Sequence, residues 1–465
     1  MKRIVVSGIA VAATLAAAAL ILPSGTAAAQ DQPHASGPHY YTTKTPYRPQ
    51  ESLRDYQLAP KGFTPVFTEN VARHGSRAMT DSGDGDAVLA VLQSAQAQSA
   101  LTRLGTKLGP QVRTLLTGAS TIGYGNLSGR GIQEQRDTAL RMERRLPSLF
   151  STIVADHEPI EVDTSGVARA VASANAFTGG LTTGDPALAG LIQAPVTNKD
   201  LLYFHKQPQN ADYQAYLADD PDLAAVIAKI DGEPDTAKAA THVVSRLFDA
   251  DFVAAMPAGD RISFARSLYE LYSAAPDLRD EAPGVGLDPF LVPQDARWFA
   301  YLDDAEEFYQ KGPAFNGRTI TYNMANVLLD DLFAQAEAKA DGTSNKGAVL
   351  RFTHAEEIEP LAVLLGLPGS TKAADLNHPY TYKNNPWRGA DVAPMAANVQ
   401  WDLYAGTPSQ GTANGKKAST GQGTQYLVRM LYNEKETTFK SACKPIAKDS
   451  HFYDLNELKR CYSRA

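Results

Sequence analysis

The chain has 465 residues, 43% hydrophobic and 20% charged, the composition of a folded globular protein too long for one small core. Lys and Arg number 44 against 51 Asp and Glu, a net charge of −7. That balance excludes a general nucleic-acid binder, because counterion release needs a basic surface, and it requires any anion site to gather its positive charge locally.

In chain order, Met1-Lys2-Arg3 precedes an apolar stretch from Ile4 to Leu22, then Pro23-Ser24-Gly25 and the small residues Ala27-Ala28-Ala29. This pattern predicts a signal peptide over 1–29, cleaved near Ala29, and hence a secreted protein, extracellular or periplasmic, with no membrane association after cleavage. A retained anchor is the competing reading, since the stretch could just span a bilayer. Loss of Lys2 and Arg3 takes the net charge from −7 to −9. Residues 30–60 have no periodicity and are predicted to form an extended arm. Phe63 to Ala72 predicts a strand ending at Arg73-His74-Gly75-Ser76-Arg77. Helical patterning follows over 85–117 and 131–150, a short strand over Pro159–Val162, and a helix over Ala168–Leu181. Residues 182–340 are patterned as helices with Pro and acidic turns. Ala348 to Phe352 predicts a buried strand, running into His354-Ala355-Glu356 and an apolar helix over Leu361–Leu367. Asn398–Tyr404 and Tyr426–Tyr432 alternate like adjacent strands, and Gly406 to Gln425 between them predicts a loop. Cys443 and Cys461 are expected to pair once exported, two buried thiols being the alternative; with no other cysteine there is no thiolate metal site.

This order indicates an α/β protein: a three-layer α/β/α domain over 61–181 and 341–465, interrupted by a mainly helical inserted domain over 182–340. Ligands of such sheets sit beyond the carboxyl ends of the strands, where both charged runs fall.

The run Arg73-His74-Gly75-Ser76-Arg77 sets an imidazole between two guanidinium groups. Arginine suits bidentate recognition of phosphate oxygens, and a neutral imidazole is a competent nucleophile toward phosphorus. Gly75 would let the main chain approach an anion, with its N–H as a further contact. A solvated basic turn is the alternative, but such a run recurs by chance in on the order of one chain in several hundred. His354 offers a second donor and Glu356 a proton for a leaving alcohol. As a helix-start carboxylate serving the macrodipole, however, Glu356 competes with Glu357 and Glu359. Arg169 opens a helix with Ser173 one turn on, and a third arginine there could complete a phosphate cage. Arg130, Arg136, Arg141 and Lys206 are possible extra anion contacts, though surface positions are the commoner fate of such residues.

These motifs occur in the order found in the histidine acid phosphatases, branch 2 of the histidine phosphatases: Arg73 to Arg77, Arg169 to Phe177 with Gly180-Leu181, and His354-Ala355-Glu356. Further matches resemble the multiple inositol polyphosphate phosphatases, which carry His-Ala-Glu where most of the branch carries His-Asp. They run from Tyr301 to Tyr309 with Lys311-Gly312, from Pro360 to Leu367, from Pro394 to Asn398 and from Leu431 to Glu436. The resemblance covers about residues 60–465. It implies a phosphoglycerate-mutase-like fold, with His74 as a nucleophile forming a phosphohistidine. Arg73, Arg77, Arg169 and His354 would hold the phosphate, and Glu356 would protonate the leaving alcohol and then activate water. No metal or cofactor is implied. Met79 stands where the family usually has proline, which puts the rigidity of that loop in question.

The expected activity is hydrolysis of phosphomonoesters of inositol polyphosphates, foremost phytate, by a monomer whose partner is a small anionic substrate. A broad-specificity acid phosphatase and an inactive extracellular phosphoester-binding protein are the alternatives; export argues against a mutase role.

Overall fold

The computed structural model describes residues 39–406 and 424–464. The expected signal peptide over 1–29 lies outside the described residues, as does the interior of the expected loop, 407–423.

An eight-stranded mixed sheet organises the chain. Its strands are β1 (Phe63–Arg73), β2 (Ile160–Thr164), β3 (Val196–Thr197), β4 (Ala348–Thr353), β5 (Asn398–Gly406), β6 (Gln425–Tyr432), β7 (Lys435–Thr437) and β8 (Phe452–Asp454). The order across the sheet is β3-β2-β4-β1-β5-β6-β7, with β8 also on β6. The first four in that order run parallel, and β5 to β8 add antiparallel pairs.

Side chains alternate between the two faces, as a pleated strand requires. Ala72, Leu350 and Phe352 join Val162 under the helices Gly129–Arg145, Pro147–Asp156 and Ala168–Gly184. Val71, Val349, Val399 and Trp401 pack on the opposite face, in a core that includes Leu332 and Phe333 of helix Asn326–Ala340 and Leu361 of helix Ala355–Leu365. Both faces are therefore covered, giving three layers. β1 and β4 are buried along their inner length, as central parallel strands are, yet carry polar residues there, Glu69 and Asn70 on β1 and Arg351 on β4.

Several buried charges sit within these layers in pairs. Arg351 on β4 reaches Glu69 at 3.0 Å and Asp331 at 2.5 Å on one face. On the other, Asp402 receives Arg145 at 2.9 Å and Arg429 at 3.0 Å. Partnership of this kind is the condition under which charges tolerate burial.

The helical patterning over 85–117 resolves into two helices, Gly83–Ala97 and Gly105–Ile122, separated where Ser99 takes a positive φ of 55°. The pair β2–β4 is extended by β3, a two-residue strand inside the stretch expected to be helical. From Lys199 to Ala340 the chain is mainly helical, including Pro234–Leu247, Ala258–Ala274 and Pro293–Gln310, with irregular stretches over 279–292 and 311–322. Cys443 and Cys461 form a disulfide with Cα atoms 5.2 Å apart, tying the C-terminal helix Leu455–Tyr462 to the preceding segment.

Candidate active site

Three adjacent parallel strands bring the candidate residues together. In the β1–β4 register Arg73 lies opposite Thr353, and in the β2–β4 register Thr164 lies opposite Phe352. The residues just past each strand are His74, His354 and Ser165, so three loops open at one edge. His74 N–H donates to Thr353 O at 2.9 Å, and the rings of His74 and His354 stand 5.4 Å apart edge to face. Helices Ala168–Gly184 and Ala355–Leu365 also begin here, directing the positive ends of their dipoles at the crevice.

His74 is buried, with Nδ1 2.9 Å from Gly75 O. A carbonyl only accepts, so Nδ1 carries the ring proton and Nε2 carries the lone pair. Burial, with Arg73 and His354 beside it, holds the imidazole well below its ordinary pKa. The ring is therefore neutral and nucleophilic at neutral pH.

Arg73 directs Nη1 to the carbonyls of Thr43 and Ala393, and Arg77 directs Nη1 to Ala78 O at 2.8 Å. Those bonds fix the guanidinium planes. The Nε–H groups of Arg73, Arg77 and Arg169 are all buried without a hydrogen-bond partner, and so is Nδ1 of His354. Burial and the proximity of Arg169 and Arg73 pull Arg77 down to about 10, a sign of positive charges crowded together. Unsatisfied buried donors are uncommon in folded proteins, and a cluster of them calls for an anion.

His354 is held from behind by Ser165, whose Oγ is 2.8 Å from Nε2, and by the Tyr203 ring at 5.3 Å. Burial and Arg169 pull it down to about 3, so it is neutral. Glu356 keeps 31% of its side chain exposed and lies 3.5 Å from Lys311 Nζ. Burial pulls its carboxyl up, but Lys311, His205 and His354 outweigh that pull and leave it well below the usual range. Glu357 is committed elsewhere, to His205 at 2.6 Å and Thr353 at 2.9 Å. Glu359 is fully buried. Of the three carboxylates eligible from sequence, Glu356 alone is partly open.

The sequence expectation for Gly75 needs correction. Its N–H donates to Ser173 Oγ at 3.2 Å and is not free for an anion. Its close approach is to another backbone: a Cβ on Gly75 would fall 2.5 Å from Gly131 O. The loop lacking proline at Met79 is fixed by other means. Ala78 N–H donates to Asn126 O at 2.9 Å, Gly125 N–H to Met79 O at 2.7 Å, and Ser128 N–H to Ser76 O at 3.0 Å. Arg141 is no surface charge: it forms a fork on buried Glu434, with contacts of 2.7 to 3.1 Å. Arg130 pairs with Glu134 at 3.5 Å, while Arg136 and Lys206 are exposed.

Sequence reasoning gave no role to Lys311, Ser165 or Tyr203. Lys311 lay within a matched segment, but only helix packing places it beside Glu356. Ser165 is the residue just past β2, the position His74 and His354 hold on their strands. Among the described residues no group of three or more His, Cys, Asp or Glu is arranged to hold a metal ion. A cavity of about 750 Å³ between helices Pro234–Leu247 and Pro293–Gln310 is lined by none of these site residues.

A family model described as the histidine phosphatase superfamily, branch 2, matches residues 67–433. The chain is 33% identical to a multiple inositol polyphosphate phosphatase from Bifidobacterium longum solved in complex with phosphate. That match covers 92% of this chain and 98% of the other, with a TM-score of 0.84. The same enzyme in complex with inositol hexasulfate is 32% identical, covering 91% and 97%, with a TM-score of 0.82. The multiple inositol polyphosphate phosphatase 1 of Gallus gallus is 24% identical over 360 residues, 72% of each chain.

Proposed function

Because the chain belongs to branch 2 of the histidine phosphatase superfamily and is a phosphatase, we propose that it hydrolyses the phosphomonoesters of inositol polyphosphates, foremost phytate, through a phosphohistidine on His74. The observation that carries this reading is the set of four buried, unpartnered nitrogens of Arg73, Arg77, Arg169 and His354 around a neutral imidazole with Nε2 free. The relatives' crystallised ligands, phosphate and inositol hexasulfate, support the substrate class.

In the first step the arginines and His354 hold the phosphate oxygens, and the Nε2 lone pair attacks phosphorus. The bond to the inositol oxygen breaks, and Glu356 gives that oxygen its proton. Glu356 is ionised before substrate arrives, and the anionic phosphate beside it favours its protonated form. In the second step the Glu356 carboxylate takes a proton from water, the water oxygen attacks phosphorus, and the P–N bond breaks with its electron pair returning to Nε2. The arginines neutralise the charge that builds on the equatorial oxygens in both steps.

In this reading residues 61–181 and 341–465 form the catalytic domain, and 182–340 the insertion that walls the crevice and supplies Lys311. Export belongs to the same proposal: the N-terminal apolar stretch and the disulfide support it.

The test is a comparison of kcat/KM for phytate and p-nitrophenyl phosphate, with product analysis on phytate. Preference for phytate with inorganic phosphate released is expected. Equal values, or preference for the simple ester, would replace this substrate with a broad phosphomonoester range.

A further inference from the structure

The acid of the proposed reaction has an ammonium group for a neighbour. Helix Pro293–Gln310 ends one residue before Lys311, whose Nζ turns back to Glu307 one turn earlier. It lies 2.7 and 2.9 Å from the two oxygens of that carboxylate. Across the crevice the same Nζ is 3.5 Å from Oε1 of Glu356. One ammonium thus serves two carboxylates, tightly on its own helix and loosely on the other. A third carboxyl, Glu359, sits one turn beyond Glu356, fully buried and with neither oxygen hydrogen-bonded. Burial, with Glu307 beside it, pushes Glu359 well above the usual carboxylate range, so it stays neutral and leaves Lys311 to the other two.

We propose that Lys311 is a positioning residue for the proton transfers: by dividing its charge between Glu307 and Glu356 it decides when Glu356 holds a proton. The proposal rests on Glu356 being the acid and base of the reaction above. Transfer of the phosphoryl group to His74 uses the proton of Glu356, and hydrolysis of the phosphoenzyme returns one from water. An ammonium beside Glu356 favours the carboxylate; it helps the second step and opposes the first. Were Nζ as close to Glu356 as to Glu307, the carboxyl would stay ionised throughout the cycle. Held at the longer distance by Glu307, it leaves Glu356 within reach of protonation once the phosphate anion arrives.

The other charged and titratable groups facing Glu356 do not offer this control. Arg77 and Arg169 belong to the cage and lose their effect on Glu356 when phosphate neutralises them. His354 is held neutral. His205 is bonded to Glu357, and Tyr213, whose hydroxyl donates to Gln310 O at 3.1 Å, is pushed far up by burial. Only the Glu307–Lys311 pair carries a charge that one substitution removes without touching the phosphate site.

The experiment measures kcat against pH with glycerol phosphate and with p-nitrophenyl phosphate, together with acid-quenched phosphoenzyme. With glycerol phosphate, Lys311→Met moves both limbs of the profile upward by about one pH unit, as loss of an opposite charge within about 4 Å of a carboxylate does. It also makes phosphoenzyme accumulate at the acidic end, where the base is now protonated. Glu307→Gln frees the ammonium to close on Glu356 and moves both limbs downward. Lys311→Arg leaves them in place. With nitrophenyl phosphate, whose leaving group needs no proton, only the acidic limb moves. Unmoved limbs in both Lys311→Met and Glu307→Gln, or movement of both in one direction, overturn the proposal. If Lys311→Met does not fold, the downward shift of Glu307→Gln decides alone. A separate result tests the underlying reading: Glu356→Gln that slows both esters equally removes Glu356 as the acid, whatever Lys311 does.

Discussion

The Ser165 hydroxyl lies 2.8 Å from Nε2 of His354 while its oxygen also receives the Val167 N–H at 3.3 Å. The hydroxyl can accept that amide and still give its own proton to Nε2, an arrangement that leaves the ring proton of His354 on Nδ1, the buried nitrogen with no protein partner. A histidine in that state presents a neutral donor beside three guanidinium groups. It also explains how an imidazole held down to about 3 can serve an anion, since it binds as a dipole and needs no charge.

Ser165→Ala removes the group that fixes this tautomer. The ring can then turn or exchange its proton, and kcat/KM for any phosphomonoester is expected to fall by about 10- to 100-fold, as for loss of precise orientation at a reacting centre. Ser165→Thr, which keeps the hydroxyl, should recover most of it. Steady-state kinetics with p-nitrophenyl phosphate checks both, and an unchanged kcat/KM in the alanine variant would remove Ser165 from the site.

The grouping of Arg73, His74, Arg77, His354 and Glu356 was legible because these residues stand at the ends of buried strands, where charge is conspicuous. Arg73 ends β1 with His74 and Arg77 just beyond it, and His354 and Glu356 follow β4. What stayed hidden depends on packing between distant segments. Lys311 meets Glu356 only because two helices from different parts of the chain converge, and Asp277 reaches Ser76 from the end of a helix in the inserted stretch. The short strands β3, β7 and β8 have two or three residues each, too few to show alternation. The break at Ser99 is a left-handed residue outside the types that usually mark one, so the helical pattern appeared to run on.

Backbone contact between the loop after β1, which carries His74, and helix Gly129–Arg145 predicts a second sensitive position. A Cβ on Gly131 would stand 2.2 Å from Ser76 O, a contact that only backbone displacement relieves. Gly131→Ala should cost about 1–3 kcal/mol in unfolding free energy, as overpacking does. It should lower kcat as well, since the displaced segment carries His74. Gly179→Ala, inside a helix where a Cβ meets nothing, is the control: kcat should be unchanged and stability should rise by up to about 1 kcal/mol. Denaturant midpoints and initial rates separate the two effects.

The disulfide closes a span of 18 residues at the C-terminus. Replacing both cysteines by serine should cost about 3 kcal/mol by release of loop entropy in the unfolded chain. Neither cysteine touches the crevice, so kcat at a temperature well below the transition should be unaffected. Loss of activity in the folded double variant would contradict that separation.

The last prediction concerns pH and starts from one proton shared between two acids. Ser76 Oγ is 2.8 Å from Glu134 Oε1 and 2.9 Å from Asp277 Oδ1. A hydroxyl has one proton, so both contacts are hydrogen bonds only when one carboxyl carries a proton too. Glu134 also accepts the amides of Ser76 at 2.8 Å and Tyr47 at 3.0 Å, which favours its ionised form. Asp277 has no such donors, and burial together with Glu134 pushes it up to about 8. The unfolded chain releases that proton near pH 4, about the ordinary value for aspartate, and the folded chain keeps it to about 8. Unfolding in between therefore releases a proton. The stability linked to Asp277 is complete below pH 4, declines as pH rises, and is lost once pH passes about 8. Asp277→Asn keeps a donor for Ser76 and removes the titration. Its unfolding free energy should fall less between about pH 5 and 8, by up to about 1.4 kcal/mol per pH unit. Urea midpoints across that range measure the difference. Equal slopes in variant and parent would place the proton on Glu134 instead, and leave on Asp277 the charge that anchors Ser76 beside His74.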